Sequence, residues 1–236
     1  MGKLFSKMSF QRIILLIVCI LIVGAILLGI ITRISYSTES KDINSILKAK
    51  VTFEEDLISQ VDELRSTTTY EQALADLDQN EYVFYAKCLD QEVCYGCIKF
   101  SLEVIETLKG DIQETGKKII LYQLIKFDFV NNNIYFLSPD YTMPLQEGKA
   151  YLLFANKRNY DTAYQKTLQE NEYSLAITGA FPTALVVNDT QNEYINPDIV
   201  KRYGDIKDLY YICFNETAMK NINELCDKII KHYITS

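Results

Sequence analysis

Hydrophobic positions along this chain change texture three times. From Ile13 to Ile31 the sequence runs nineteen apolar or small residues without a charge. Such a helix rises about 1.5 Å per residue and spans roughly 28 Å, close to the hydrocarbon thickness of a bilayer. Residues 39–66 then alternate apolar and charged positions at three- and four-residue spacings, with Ile43, Ile46, Leu47 and Val51, then Leu57, Val61 and Leu64 on one stripe. That period predicts a helical stalk, which packs on the globular part or pairs with a second copy, the first use being favoured. Ser66-Thr67-Thr68-Thr69 interrupts the stripe and offers caps for a short helix over Tyr70–Asp78, buried through Leu74 and Leu77.

Beyond Glu81 the period falls to two. The runs Tyr82–Ala86, Lys118–Tyr122 and Ala150–Phe154 are aromatic and β-branched, and Gly116, Gly148 and the Asn131-Asn132-Asn133 turn punctuate them. Glu172–Thr178, Ala184–Val187 and Tyr210–Phe214 are further strand candidates. Short strands at this spacing predict a barrel or sandwich, not alternating βα units. A final amphipathic helix is expected over 215–236, with Met219, Ile222, Leu225, Cys226, Ile229, Ile230 and Tyr233 on one face and Asn215 or Thr217 as its cap.

Charge gives the apolar run an orientation. Of the 24 basic residues in the 236-residue chain, Lys3, Lys7, Arg12 and Arg33 lie in the first 38 positions, where no acid occurs. The basic flank should stay cytoplasmic, placing later residues outside. A cleaved signal peptide is the rival, but the run is long for one and Thr32-Arg33-Ile34-Ser35 offers no small-x-small cleavage site. The remaining chain carries 20 basic against 31 acidic residues. That excess of acid disfavours nucleic acid as a partner.

Residues 98–109 fit two periods. As a strand, Ile98, Phe100, Leu102 and Val104 point inward; as a helix, Ile98, Leu102, Ile105 and Leu108 share a face. The helical choice would set Cys94-Tyr95-Gly96-Cys97 between a strand and a helix, which resembles the thioredoxin superfamily. That resemblance implies a membrane-tethered thiol–disulfide oxidoreductase with Cys94 attacking and Cys97 resolving. The proline that family places before its next strand has no match, since Gly148-Lys149-Ala150 precedes Tyr151.

The strand choice favours another likeness. A strand closing on Leu108-Lys109-Gly110-Asp111 and the later Gly148-Lys149-Ala150-Tyr151-Leu152-Leu153-Phe154 resemble the netrin-like and metalloproteinase-inhibitor-like domains, over roughly residues 80–190. This resemblance implies an OB-like antiparallel barrel on an extracellular protein. Inhibitors of that family use a mature N-terminal Cys on a zinc ion; here the first Cys beyond the apolar run is Cys88, so inhibition is not implied.

Few chemical groups remain. One His and no Trp remove most His-based triads and multi-His metal sites, and Cys88, Cys94 and Cys97 lack a fourth zinc ligand. If Asp90-Gln91-Glu92 turns a hairpin, Cys88 faces Cys94 and the two can bridge. Cys213 and Cys226 read as buried apolar residues. The expected organisation is a cytoplasmic tail (1–12), a signal anchor (13–31), a helical stalk (34–69), an OB-like barrel (70–214) and a terminal helix (215–236). The expected role is a non-enzymatic interaction module at the cell surface with a protein partner, without cofactor or metal.

Overall fold

A computed structural model describes residues 18–29, 51, 55–94, 97–110, 116–130, 133–137, 142–158, 171–178, 181–188, 195 and 202–234. The chain forms two compact units, Met1–Lys41 and Asp42–Ser236. In the first, residues 18–29 are helical. Among the described residues no helix is long and apolar enough to cross a membrane. The rest of the expected anchor and most of the expected stalk lie outside the described residues, which resume fully at Glu55.

The second unit contains helices α1 (Glu55–Thr67), α2 (Tyr70–Leu77) and α3 (Glu216–Ile234). Its strands are β1 (Tyr82–Cys94), β2 (Cys97–Lys109), β3 (Lys118–Gln123), β4 (Lys126–Val130), β5 (Asn133–Leu137), β6 (Ala150–Lys157), β7 (Glu172–Leu175) and β8 (Ala184–Val186). The main sheet runs β1-β2-β3-β7-β6-β8, and β1 also pairs with β6, closing a five-stranded barrel of β1, β2, β3, β7 and β6. The pairing of β3 with β7 is parallel, so the barrel is mixed where an antiparallel one was expected. Strands β4 and β5 form a separate hairpin.

Alternation decides the ambiguous segment. Ile98, Phe100, Leu102 and Val104 are buried while Ile105, which a helix would have turned inward, is 40% exposed. β1 and β3 flank β2 on both edges over Ile98–Glu103, pairing its backbone there as a strand. The strand-CxxC-helix arrangement of the thioredoxin-like reading therefore does not occur. Tyr210–Phe214, expected as a strand, makes one bridge, Tyr211 to Thr142.

Two apolar layers result. Phe84, Ala86, Phe100, Leu121, Leu153 and Tyr173 fill the barrel. On its outside Val83, Leu152 and Phe154 meet Leu77 of α2 and Ile222, Leu225 and Ile229 of α3. That is why β1 and β6 read as nearly continuous apolar runs: each is covered on two faces. Thr69 caps α2 reciprocally with Gln72, and Asn215 Oδ1 accepts from the Thr217 amide at 2.8 Å to start α3. In α2 the fully buried residues are Ala73 and Leu77, and Leu74 is only half-buried. Gly110 adopts φ +104° at the end of β2, where a Cβ would collide with the Tyr82 ring. Only glycine fits that turn.

A register shift in the first hairpin re-aims its outer half. Cys88 pairs with Leu102 and Asp90 with Ser101, leaving Leu89 as an extra residue. Side chains alternate along a strand, so one extra residue exchanges the two faces. Phe84, Ala86 and Cys88 point into the barrel, whereas Asp90, Glu92 and Cys94 share the outer face with Ser101, Lys99 and Cys97.

Candidate functional site

The outer face of β1, β2 and β3 near the first hairpin's end gathers the chain's chemically useful side chains. Two residues, Tyr95 and Gly96, connect β1 to β2, and Cys94 sits directly opposite Cys97. One step inward Glu92 faces Lys99, with Lys99 Nζ 3.2 Å from Glu92 Oε2. Across the next ladder Lys99 faces Tyr122, and Tyr122 in turn faces Ser174 of β7. The Arg158 guanidinium, just beyond β6, lies 3.7 Å from the centre of the Tyr122 ring. At that distance it makes a cation–π contact.

Electrostatics couple these groups. Hydrogen bonding to Glu92 pushes the Lys99 ammonium above its ordinary value. Burial raises Tyr122, assisted by Glu172, while Arg158 and Lys99 pull the other way. Both thiols are half-buried, and each influences the other's titration across the ladder. Burial raises Cys94, as do the neighbouring Cys97 and Glu92 against an opposing Lys99. Cys97 is raised by burial too, with Arg158 and the Cys94 hydrogen bond opposing. A resident nucleophile requires the reverse shift, toward thiolate. At neutral pH these thiols are protonated, and the geometry of an attacking and a resolving Cys at a helix N-terminus is missing.

The other sequence candidates are placed elsewhere. Cys88 and Cys94 do not face each other, because Asp90-Gln91-Glu92 is no turn: β1 continues through it to Cys94. Six residues of strand separate the two by roughly 20 Å, on opposite faces, so the expected bridge between them is excluded. Burial is complete for Cys88 and Cys213 and nearly so for Cys226. Among the described residues no three His, Cys, Asp or Glu side chains gather as metal ligands. His232 is exposed on α3, edge-on to Tyr70 and Tyr233.

Sequence reasoning missed a buried charged clamp. The Arg65 side chain of α1 is fully buried, with Nη1 donating to the Ile212 carbonyl and lying 3.4 Å from Cys213 Sγ. Asp62 stands 3.9 Å from that nitrogen, and its Oδ2 accepts from the Phe214 amide at 2.7 Å. Asn221 of α3 donates to the Arg65 carbonyl at 2.7 Å. The clamp ties α1, the segment before α3 and α3 itself together. Asp62 Oδ1 is buried without a hydrogen-bond partner and faces Arg65 only as an ion pair, and the adjoining cavity near Tyr211 and Cys226, about 10 Å³, holds one water at most. It is a structural device. The expected stripe through Leu64 is turned accordingly: Leu64 is 55% exposed, and Val61, Asp62 and Arg65 face inward.

No protein-family model matches this chain, and no curated protein matches it in sequence. Functional assignment rests on the barrel and on the face carrying Cys94, Cys97, Lys99, Tyr122 and Arg158.

Proposed function

We propose that the chain is a membrane-anchored interaction module that binds a protein partner at the cell surface through the outer face of β2 and β3. The observation that carries this reading is the strand order. Counting only barrel strands, the closed order is first, second, third, fifth, fourth and back to first, with the third and fifth parallel. That arrangement is OB-like, and in OB folds the face of the second and third strands, with the loop joining the first two, is where ligands dock. Here the same face presents Lys99, Tyr122 and Arg158 as a cation–aromatic surface beside Glu92. The netrin-like resemblance is compatible with it. The Leu108-Lys109-Gly110 phrase closes the second strand, and Ala150–Phe154 lies in β6, the fourth barrel strand.

Anchoring is part of the same proposal. Residues 13–31 carry no charge, and the helical stretch 18–29 exposes Ile20, Leu21 and Leu28, each by more than half of its surface. Apolar side chains in that state require lipid or protein cover. Basic residues precede the run, so the anchored barrel would face outward.

The test uses the full chain in its native membrane with a photo-crosslinking amino acid at Ser101, on the same face as Lys99. We expect retention in the pellet after alkaline carbonate extraction and one discrete adduct that Tyr122→Ala combined with Arg158→Ala removes. Extraction into the supernatant would overturn the anchor. Absence of any adduct sensitive to the two substitutions would overturn the binding face.

A further inference from the structure

We propose that Cys94 and Cys97 are the site of a reversible intramolecular disulfide that closes the end of the first hairpin. Their register carries the proposal: they are direct partners across an antiparallel ladder, at its last pair. Facing residues in such a ladder have Cα atoms about 4.5 or 5.5 Å apart. A disulfide accepts Cα separations of about 4.4–6.8 Å, so either geometry qualifies. Facing Cβ atoms stand about 4.5–5.5 Å apart and a disulfide prefers roughly 3.8 Å. About an ångström of closure is needed, at the strand ends where the ladder stops. The two side chains share the outer face, and each thiol lies close enough to shift the other's titration.

The other thiols in this unit differ in access. Cys88, Cys213 and Cys226 are buried, whereas Cys94 and Cys97 are each partly open to solvent. Among the thiols of this unit, an oxidant in solution can therefore reach only this pair without opening the fold. The chemistry is exchange with a small disulfide such as oxidised glutathione. One protein thiolate attacks a sulfur of that disulfide, forms a mixed disulfide and releases one glutathione thiol. The facing Cys then displaces the second glutathione and the protein S–S bond forms. Two protein thiols are oxidised, one glutathione disulfide is reduced to two thiols, and their protons pass to glutathione or solvent. Because both thiols are held above the ordinary range by burial, exchange is slow at neutral pH and quickens in alkali. The pair behaves as a latch set by its redox surroundings, not as a turnover catalyst.

The proposal stands on the hairpin alone and needs no partner at the β2–β3 face. Its test equilibrates the purified full chain in detergent with glutathione buffers of increasing disulfide content, followed by acid quench, alkylation under denaturing conditions and peptide mass spectrometry. The expected result is a peptide spanning residues 94–97 that has lost two hydrogens and takes up no alkylating agent. Cys88, Cys213 and Cys226 remain alkylatable, and excess reduced glutathione reverses the change. In Cys94→Ser, circular dichroism is unchanged and Cys97 stops at the glutathione mixed disulfide. Persistence of two alkylatable thiols in the most oxidising buffer would overturn the proposal. So would a mixed disulfide at Cys97 in the unsubstituted chain, or a bond from either Cys to a second molecule.

Discussion

At the scale of single residues, the costliest feature is a charge placed where water cannot reach it. Arg65 and Asp62 lie close together in the interior, and each is also bonded to the backbone of the segment 212–214. Burial raises Asp62 despite the Phe214 amide and Arg65, which both favour its ionised form. Removing one partner from such a pair strands the other, which costs about 3–5 kcal/mol. Arg65→Ala should therefore lower stability by that amount in urea unfolding. Arg65→Met combined with Asp62→Leu should cost clearly less, because no charge is left behind. Equal losses in the two variants would show that packing, and not the stranded carboxylate, is at stake.

At the scale of elements, the extra residue Leu89 determines which side chains of β1 meet solvent. Deleting Leu89 leaves Cys88 opposite Leu102 and Asp90 opposite Ser101 in an unbroken ladder, so the hairpin should survive with Cys94 and Cys97 still paired. Deleting Gln91 instead turns Asp90 inward opposite Phe100, at about 2 kcal/mol or more for an unpaired polar group. Urea midpoints of the two deletions check the order, and the reverse order would contradict the bulge. The bulge also explains what the sequence did and did not disclose. The inward set Ile98, Phe100, Leu102 and Val104 was one of two readings that the local period allowed, and the caps were legible as the run Ser66–Thr69 and as Asn215 or Thr217, because alternation and capping are local. The end of β1 at Cys94 was hidden by the polar run Asp90-Gln91-Glu92, which has the composition of a loop yet lies within a strand. The Arg65 clamp was illegible for a similar reason: a charged side chain reads as solvent-facing until its buried partners are seen. Parallel pairing of β3 with β7 joins segments far apart in sequence, and no local pattern records it. The Cys94–Cys97 neighbourhood was half-visible, its spacing plain but its cross-strand placement dependent on where β1 ends.

At the scale of the whole molecule, buried thiols make stability sensitive to alkali. Burial is the main cause that pushes Cys88 up to about 12 and Cys213 up to about 11, against an ordinary value of 9.0. The folded state thus keeps protons that the unfolded chain gives up. Their stabilising contribution is complete below pH 9 and is lost as pH rises through 9 toward 11 and 12. Between those limits each thiol removes about 1.4 kcal/mol per pH unit. Urea unfolding at pH 8.5 and 10.5 should show the decline, and Cys213→Ala should flatten it by roughly one thiol's share. An unchanged slope in that variant would reject the assignment to Cys213. Barrel closure has a different consequence, one of timing. The edge of β1 from Tyr82 to Lys87 is paired by β6, whose last residue is made 63 residues after Cys94. At about 5–20 residues per second, synthesis leaves that edge open for roughly 3–13 s. During this interval a nascent chain holds a finished hairpin with an unsatisfied strand border, the element most able to join a neighbouring chain on the same polysome.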